Sequence, residues 1–299
     1  MNKVIFILGP TAVGKTQTGV NLAKRFNGEI ISADSVQIYR GLDIGSAKVT
    51  KEEMQGIVHH AIDILEPYEE FSVFEFVEYT KKKIEEISSR GKLPIVVGGT
   101  GLYIKALTLG YNFGGAEKDE KLRDELQRLA DEKGNDFLFE MLKEKDSVLA
   151  EKTDKFNTVR LIRAIEIANN KGQKETAAVD IQPLLIGLVR QRDGLYQDIN
   201  ARVDKMLLQG LVKEVEGLKE SGLTASNQSM RAIGYKEVLA YLDGEYDYAR
   251  MVELIKQHSR NYAKRQLTFL RGMENVNFVD VNENGSNEKI IKMVEEFLI

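Results

Sequence analysis

Residues 3–26 read KVIFILGPTAVGKTQTGVNLAKRF, and this stretch decides the fold of the surrounding chain. Its first part, residues 3–8, is a short apolar run rich in β-branched side chains, which predicts a buried strand. Residues 9–16 match the pattern G-x-x-x-x-G-K-[ST], and residues 15–26 are amphipathic and predict a helix. A glycine loop in this setting binds phosphate, because free N–H groups and the positive dipole end of the helix face the anion. The chain is therefore predicted to bind a phosphorylated molecule.

The loop also supplies two reactive side chains. Lys15 places a positive charge beside the phosphate groups, and Thr16 offers its hydroxyl to a phosphate-bound Mg²⁺ ion. A glycine turn that binds nothing is the alternative, and the flanking strand and helix argue against it. The predicted diphosphate- or nucleotide-binding residues of the loop are Gly9, Pro10, Thr11, Ala12, Val13, Gly14, Lys15 and Thr16.

The composition of the chain excludes several classes of protein. Its 299 residues include no cysteine, which excludes disulfides and thiolate metal sites and favours a cytoplasmic location. Its apolar runs are shorter than the roughly 20 residues that span a bilayer, so no membrane association is expected. Three histidines, of which His59 and His60 are adjacent, argue against a histidine-built metal site. The net charge of −4 means that binding to a polyanion must depend on local patches.

The order of predicted elements indicates an α/β fold class with a P-loop NTPase-like parallel sheet core. Strands are predicted at residues 3–8, 29–33, 93–97, 183–189 and 276–281. Residues 117–170 are charge-rich with helical periodicity, which predicts a mostly helical insertion. We therefore expect a catalytic core formed by residues 1–113 and 196–299, with the insertion at residues 114–195.

Asp34 is the acid best placed to act on a ligand held by the loop. It follows the strand predicted at residues 29–33, and ligands of open α/β sheets bind at the carboxyl ends of the strands. Its carboxylate can act as a general base if it reaches the nucleophile directly or through one water. A helix N-cap or an outer Mg²⁺ ligand is an alternative that the sequence leaves open. The strand at residues 93–97 ends in two glycines rather than an acid, which argues against a motor ATPase or a GTPase.

A basic helical face near the C-terminus predicts contact with nucleic acid. Residues 254–273 include five Lys or Arg residues and no acid, and Lys256, Arg260 and Lys264 recur every four residues. A solvated helix face is the alternative.

The predicted insertion contains a second basic cluster. Its members Lys152, Lys155, Arg160 and Arg163 are expected either to contact RNA or to pair locally, since Glu166 follows Arg163 by three residues.

These segments together resemble the tRNA dimethylallyltransferase (tRNA isopentenyltransferase) family almost from end to end. A phosphate loop alone indicates only a superfamily, whereas Asp-Ser-x-Gln-x-Tyr-Arg-Gly together with Gly-Gly-Thr-Gly-Leu-Tyr is far more specific. The stretches that carry the resemblance are GPTAVGKT (9–16), ISADSVQIYRGLDIGSAK (31–48), HHAIDI (59–64), VVGGTGLYI (96–104), VRLIRAIE (159–166), ARVDKML (201–207), AIGYKE (232–237) and YAKRQLTFLR (262–271).

The resemblance implies transfer of a dimethylallyl group from dimethylallyl diphosphate to N6 of the adenosine 3′-adjacent to the anticodon in tRNA, with Mg²⁺ as cofactor. The loop would then hold the diphosphate leaving group, with Lys15 and Thr16 acting on it. Asp34 would be the general base and Thr100 would orient the target nucleotide. Contacts with the anticodon stem-loop are implied for Asp34, Ser35, Val36, Gln37, Thr100, Arg123, Val159, Arg160, Leu161, Ile162 and Arg163.

The chain departs from the family's pattern at two positions. Ser46 stands where the family usually has Thr, which keeps a hydroxyl. Asp198 stands where the family usually has an Arg suited to clamp diphosphate, which leaves Arg202 as the candidate clamp. An acid near diphosphate is unfavourable unless Asp198 points away or helps to bind metal.

Two other functions remain as alternatives. A P-loop kinase of small molecules or nucleosides that uses ATP would explain the loop and Asp34, but not the basic face at residues 254–273. A non-catalytic RNA-binding protein would not explain Asp34 opposite an intact Lys15 and Thr16. The protein is expected to act as a monomer.

Overall fold

A computed structural model describes residues 1–109, 119–169 and 180–299, which fall into two compact units. The larger unit comprises Met1–Thr108 and Val179–Ile299, and the smaller comprises Leu109–Ala178. The predicted start of the insertion at residue 114 lies outside the described residues. Among those residues, no helix combines the length and apolar character needed to cross a bilayer.

A parallel sheet forms the centre of the larger unit, as the sequence predicted. Its described strands run in the order β3-β2-β4-β1-β5-β6, and each neighbouring pair is parallel. They are β1 (Asn2–Leu8), β2 (Gly28–Ala33), β3 (His59–His60), β4 (Leu93–Gly98), β5 (Ile181–Val189) and β6 (Val276–Asp280). Residues 4–8 of β1 are wholly buried, because both faces of a parallel sheet are covered and its strands are continuously apolar.

Two features of the sheet differ from the expectation. The predicted insertion ended at residue 195, whereas the smaller unit ends at Ala178, because β5 pairs with β1 along its length and therefore belongs to the sheet. Strand β3 was not predicted, since its two residues pair only with Ile30 and Ile31 and are too few for a periodic pattern.

The helices connect and cover these strands. In chain order they are α1 (Lys15–Arg25), α2 (Lys51–Met54), α3 (Val73–Ser89), α4 (Gly101–Leu109), α5 (Glu120–Lys133), α6 (Asn135–Lys145), α7 (Ser147–Glu151), α8 (Thr158–Asn169), α9 (Arg192–Leu208), α10 (Leu211–Glu220), α11 (Tyr235–Leu242), α12 (Tyr248–Arg271) and α13 (Ser286–Leu298). Helices α5 to α8 form the smaller unit around their own apolar core, which includes Leu126, Leu138 and Leu142.

A buried carboxylate on β2, Glu29, is surrounded by cationic side chains. His60 Nε2 and Arg90 Nη2 each lie 2.7 Å from its Oε2, and Lys92 Nζ lies 2.9 Å from its Oε1. Burial by itself raises the pKa of Glu29. Hydrogen bonds from Lys92 and His60, with the charges of Lys92 and Arg90, outweigh burial and lower the pKa to about 2.

Glu29→Gln should lower the free energy of unfolding at pH 7 by on the order of 3 kcal/mol. A pKa depressed in the folded state stabilises it fully above the ordinary value of 4.5, and that stabilisation is lost as the pH falls towards 2. In urea unfolding, the difference between wild type and variant should therefore shrink below about pH 4.5. Glu85→Gln, on the exposed side of α3, is the control. A difference that stays constant from pH 7 to pH 3 would contradict this account.

Candidate active site

A cavity of about 1050 Å³ lies in the larger unit, lined by residues that follow the carboxyl ends of β1, β2 and β4. Its lining includes most of the phosphate loop, residues 11–16, together with residues 34–37 and Arg202. Residues 43–50 contribute a further wall. The structure thus brings together segments that the sequence predicted separately as a phosphate site and an acid at a strand end.

The phosphate loop is shaped to surround an anion. Ala12 and Gly14 adopt positive φ angles of 64° and 95°, which turn the chain into the first turn of α1. Lys15 Nζ donates to the Pro10 carbonyl oxygen at 2.6 Å. Burial, and next the charge of Arg202, lower the pKa of Lys15 to about 7, against the opposing effect of Asp34. A bound anion beside Lys15 would favour its charged form and raise this pKa again.

Asp34 presents one carboxylate oxygen to the protein and keeps the other available. Its Oδ1 accepts from the backbone N–H groups of Val36 at 2.9 Å and Gln37 at 3.3 Å. Oδ2 has no hydrogen-bond partner within the part of the chain that the structure describes. Asp34 therefore caps backbone N–H groups through Oδ1, but it does so in a turn and not at a helix N-terminus. Its Oδ2 remains able to accept a proton.

Gln37 is fixed by bonds to the protein rather than left free. Its Oε1 accepts from Ser32 Oγ at 3.2 Å, and its Nε2 donates to the Ala47 carbonyl oxygen at 3.2 Å. Ser46, the first departure from the family's pattern, uses its hydroxyl to donate to the Leu42 carbonyl oxygen at 2.6 Å. The swap from Thr therefore keeps a structural bond in the cavity wall.

Glu214 of α10 holds the same wall and was not found from the sequence. Its carboxylate accepts from the backbone N–H groups of Asp43 at 3.0 Å, Ile44 at 2.7 Å and Gly45 at 3.1 Å. Tyr235 donates its hydroxyl to the same carboxylate at 2.7 Å, and its ring packs so closely on Gly45 that a Cβ there would lie 2.5 Å from it. These bonds join residues about 170 positions apart, so local sequence patterns could not reveal the role of Glu214.

Arg202 lines the cavity, whereas Asp198 does not. Burial lowers the pKa of the Arg202 guanidinium, and the carboxylate of Asp34 opposes that effect. Asp198 instead pairs with Arg190, so its carboxylate is neutralised outside the cavity. The sequence left two possibilities open, that Asp198 points away from the diphosphate or that it helps to bind metal. The structure shows the first, so Asp198 does not repel an anion bound at Arg202.

Lys256, Arg260 and Lys264 of α12 lie outside the cavity lining, and the first two contact α9. Lys256 Nζ is 2.6 Å from Asp204 Oδ1, and Arg260 Nη1 donates to Asn200 Oδ1 at 2.7 Å. Lys264 is exposed. The acid that residues 254–273 lack is therefore supplied to Lys256 by another helix, and a tRNA contact for these three cations stays a prediction.

In the smaller unit, Glu166 is wholly buried and accepts bonds from two predicted tRNA-binding arginines. Arg123 donates to both of its carboxylate oxygens at 2.7 Å, and Arg163 donates to Oε2 at 3.0 Å. The local pairing expected as an alternative for Arg163 is therefore present. These bonds fix α5 against α8 around a charge that is costly to bury unpaired.

Burial divides the other predicted tRNA contacts of α8. The side chains of Leu161 and Ile162 are buried in the apolar core of the smaller unit, so exposure does not support the predicted tRNA contact of these two residues. Val159 is 75% exposed and Arg160 is exposed, because they lie on the opposite side of the helix. The prediction therefore remains for Val159 and Arg160.

Thr100 lies next to the cavity lining, in the loop between β4 and α4. Its neighbour Gly99 lines the cavity, as do Tyr262, Arg265 and Gln266 of α12. Burial raises the pKa of Tyr262 to about 12, and the charge of Asp34 adds to the effect, while the Thr100 hydroxyl opposes it. The contribution of α12 to the cavity wall was not predicted, because its sequence pattern indicates a cationic face and not what its other faces contact.

Comparisons with known proteins match the whole length of the chain. The family model described as IPP transferase matches residues 37–273, and that described as isopentenyl transferase matches residues 2–65. The tRNA dimethylallyltransferase of Oceanobacillus iheyensis is 48% identical over 294 residues, covering 96% of this chain and 94% of the relative. That of Acetivibrio thermocellus is 48% identical over 306 aligned residues, covering 100% and 98%.

Solved structures give the same result. The full-length tRNA isopentenylpyrophosphate transferase of Bacillus halodurans has a TM-score of 0.77 at 43% identity, covering 100% of this chain and 97% of that one. A eukaryotic dimethylallyltransferase acting on tRNA has a TM-score of 0.83 at 29% identity, covering 100% of this chain and 80% of that one.

Proposed function

The chain belongs to the IPP transferase family, and on that premise we propose the reaction that its cavity performs. It transfers a dimethylallyl group from dimethylallyl diphosphate to N6 of the adenosine 3′-adjacent to the anticodon in tRNA, and it releases diphosphate. The observation that carries this proposal is that the phosphate loop, Asp34 and Arg202 line one cavity.

The reaction breaks the C–O bond of the donor and forms a bond from its C1 to N6. Residues 11–16 surround the departing diphosphate, while Lys15 and Arg202 stabilise the negative charge that develops on it. Oδ2 of Asp34 accepts the proton that N6 loses. The base is needed because the N6 lone pair is delocalised into the adenine ring, so the amine is a poor nucleophile. The adenine must leave its stack to reach Asp34.

Thr16 supports a role for Mg²⁺ at the same place. Its hydroxyl has no hydrogen-bond partner among the described residues, whereas the nearby Thr18 hydroxyl donates to the Gly14 carbonyl oxygen at 3.1 Å. Within those residues no three His, Cys, Asp or Glu side chains converge on a metal position. That fits an ion held largely by substrate phosphate oxygens. Thr16 would hold the ion through its hydroxyl, and the ion would supply positive charge to the diphosphate.

We further propose that the anticodon stem-loop contacts Val159 and Arg160 of α8. Both are exposed, and RNA loops offer phosphates to cations and unstacked bases to apolar side chains. The enzyme is proposed to act as a monomer in the cytoplasm. A chain without cysteine does not need an oxidising compartment to form disulfides.

Incubation of the protein with unmodified tRNA, Mg²⁺ and labelled dimethylallyl diphosphate or ATP tests the function. Analysis of the digested nucleosides should show label in N6-dimethylallyladenosine with the prenyl donor. Consumption of ATP on a small acceptor without prenyl transfer would instead support the kinase alternative, which the comparisons do not favour.

A further inference from the structure

Gln266 of α12 is a buried amide that joins two segments of the cavity wall. Its Oε1 accepts from the Thr11 backbone N–H at 2.9 Å, and its Nε2 donates to the Gly99 carbonyl oxygen at 3.0 Å. The side chain is only 7% exposed. Both ends of the amide are therefore used, one on the phosphate loop and the other on the loop that carries Thr100.

Glycines in the Thr100 loop allow α12 to approach this closely. A Cβ on Gly99 would lie 2.1 Å from Gln266 Nε2, and a Cβ on Gly101 would lie 2.3 Å from the Phe269 ring. Side chains of α12 thus contact the backbone on both sides of Thr100. The position of this residue is set by α12 as well as by the end of β4.

The bond to Thr11 acts on the phosphate loop in a similar way. Because the Thr11 N–H is bonded to Gln266, an anion in the loop must use other N–H groups, such as those at the start of α1. The amide thereby fixes the start of the loop at a defined distance from Gly99. Within the described part of the molecule, Gln266 is the side chain that hydrogen-bonds to both of these loops.

We propose that Gln266 is a positioning residue that sets the diphosphate loop and the Thr100 loop relative to each other. Pairing of β1 with β4 brings the starts of the two loops together, and the Gln266 amide then fixes their relative position so that the donor C1 and the acceptor N6 meet. Gln266 has this role only if the proposed function holds. A misplacement of reacting groups by about 1 Å can cost about 10²-fold in rate.

Gln266→Met removes both hydrogen bonds at similar side-chain length and should lower kcat for prenyl transfer by about 10²-fold. Gln257→Met makes the same change on the exposed side of α12 and should leave kcat unchanged. The decisive readout is the Kd of inorganic diphosphate, measured with and without an unmodified anticodon stem-loop. In the wild type, RNA that orders the Thr100 loop should tighten diphosphate binding through Gln266, and Gln266→Met should abolish that difference.

Equal kcat values for the two variants, or an RNA effect that survives Gln266→Met, would overturn the inference. The inference would also be overturned if RNA does not change the Kd of the wild-type protein for diphosphate. If Gln266→Met does not fold, Gln266→Glu decides, because it keeps an acceptor for Thr11 but places a carboxylate against the Gly99 carbonyl oxygen. If RNA no longer changes the Kd of diphosphate in Gln266→Glu, the positioning role of Gln266 is supported. If RNA still changes it, that role is refuted. Wild-type prenyl transfer, measured separately, shows whether the proposed function itself has failed.

Discussion

Asp34→Asn should lower the rate of prenyl transfer by about 10²–10⁴-fold, the usual contribution of a general base. The asparagine can still accept the N–H groups of Val36 and Gln37 through Oδ1, so the turn is retained. What is lost is the second carboxylate oxygen, which receives the proton from N6. The change should therefore appear in kcat, with little effect on the Kd of tRNA.

Single-turnover transfer and a separate RNA-binding titration measure the two quantities. Asp193→Asn is the matched control, because Asp193 is exposed at the start of α9 and does not line the cavity. Asp34→Asn with a rate within a few-fold of the control would remove Asp34 from the role of base.

Lys15→Ala should lower kcat/KM for dimethylallyl diphosphate by about 10²–10³-fold, as loss of one electrostatic stabiliser of a leaving group does. Lys15 is half-buried in the loop and near enough to Arg202 for their charges to interact, and partial removal from water strengthens its attraction to diphosphate. Removing it weakens both donor binding and the stabilisation of charge in the transition state. The Kd of tRNA should stay nearly unchanged.

Steady-state kinetics at saturating tRNA, together with calorimetric titration of inorganic diphosphate, measures both effects. Lys24→Ala is the control on the same helix, since Lys24 is exposed and donates to Gln55 Oε1. An unchanged diphosphate affinity in Lys15→Ala would show that the loop does not hold the leaving group.

Local patterns predicted the sheet and the position of Asp34 because these depend on short stretches of chain. The apolar runs of β1, β2 and β4 are continuous, and a parallel sheet brings their carboxyl ends to one edge. The helix predicted at residues 15–26 is likewise present as α1, Lys15–Arg25. Such features need no knowledge of distant partners.

Contacts between distant residues escaped prediction for the opposite reason. Gln266 bonds to Thr11, which is 255 positions away, and Glu214 caps N–H groups about 170 positions away. Lys256 appeared uncompensated because its acid, Asp204, lies on another helix. A helix pattern shows which residues share a face, but not which element packs against that face.

Acceptor specificity tests the central claim most directly. Two synthetic anticodon stem-loops would be compared, one with adenosine at the target position and one with purine riboside, which differs only by lacking the N6 amine. With labelled dimethylallyl diphosphate and Mg²⁺, the account predicts transfer and stoichiometric diphosphate release with the adenosine loop, and neither with the purine loop. Equal label transfer to both loops, or no transfer to the adenosine loop, would contradict it.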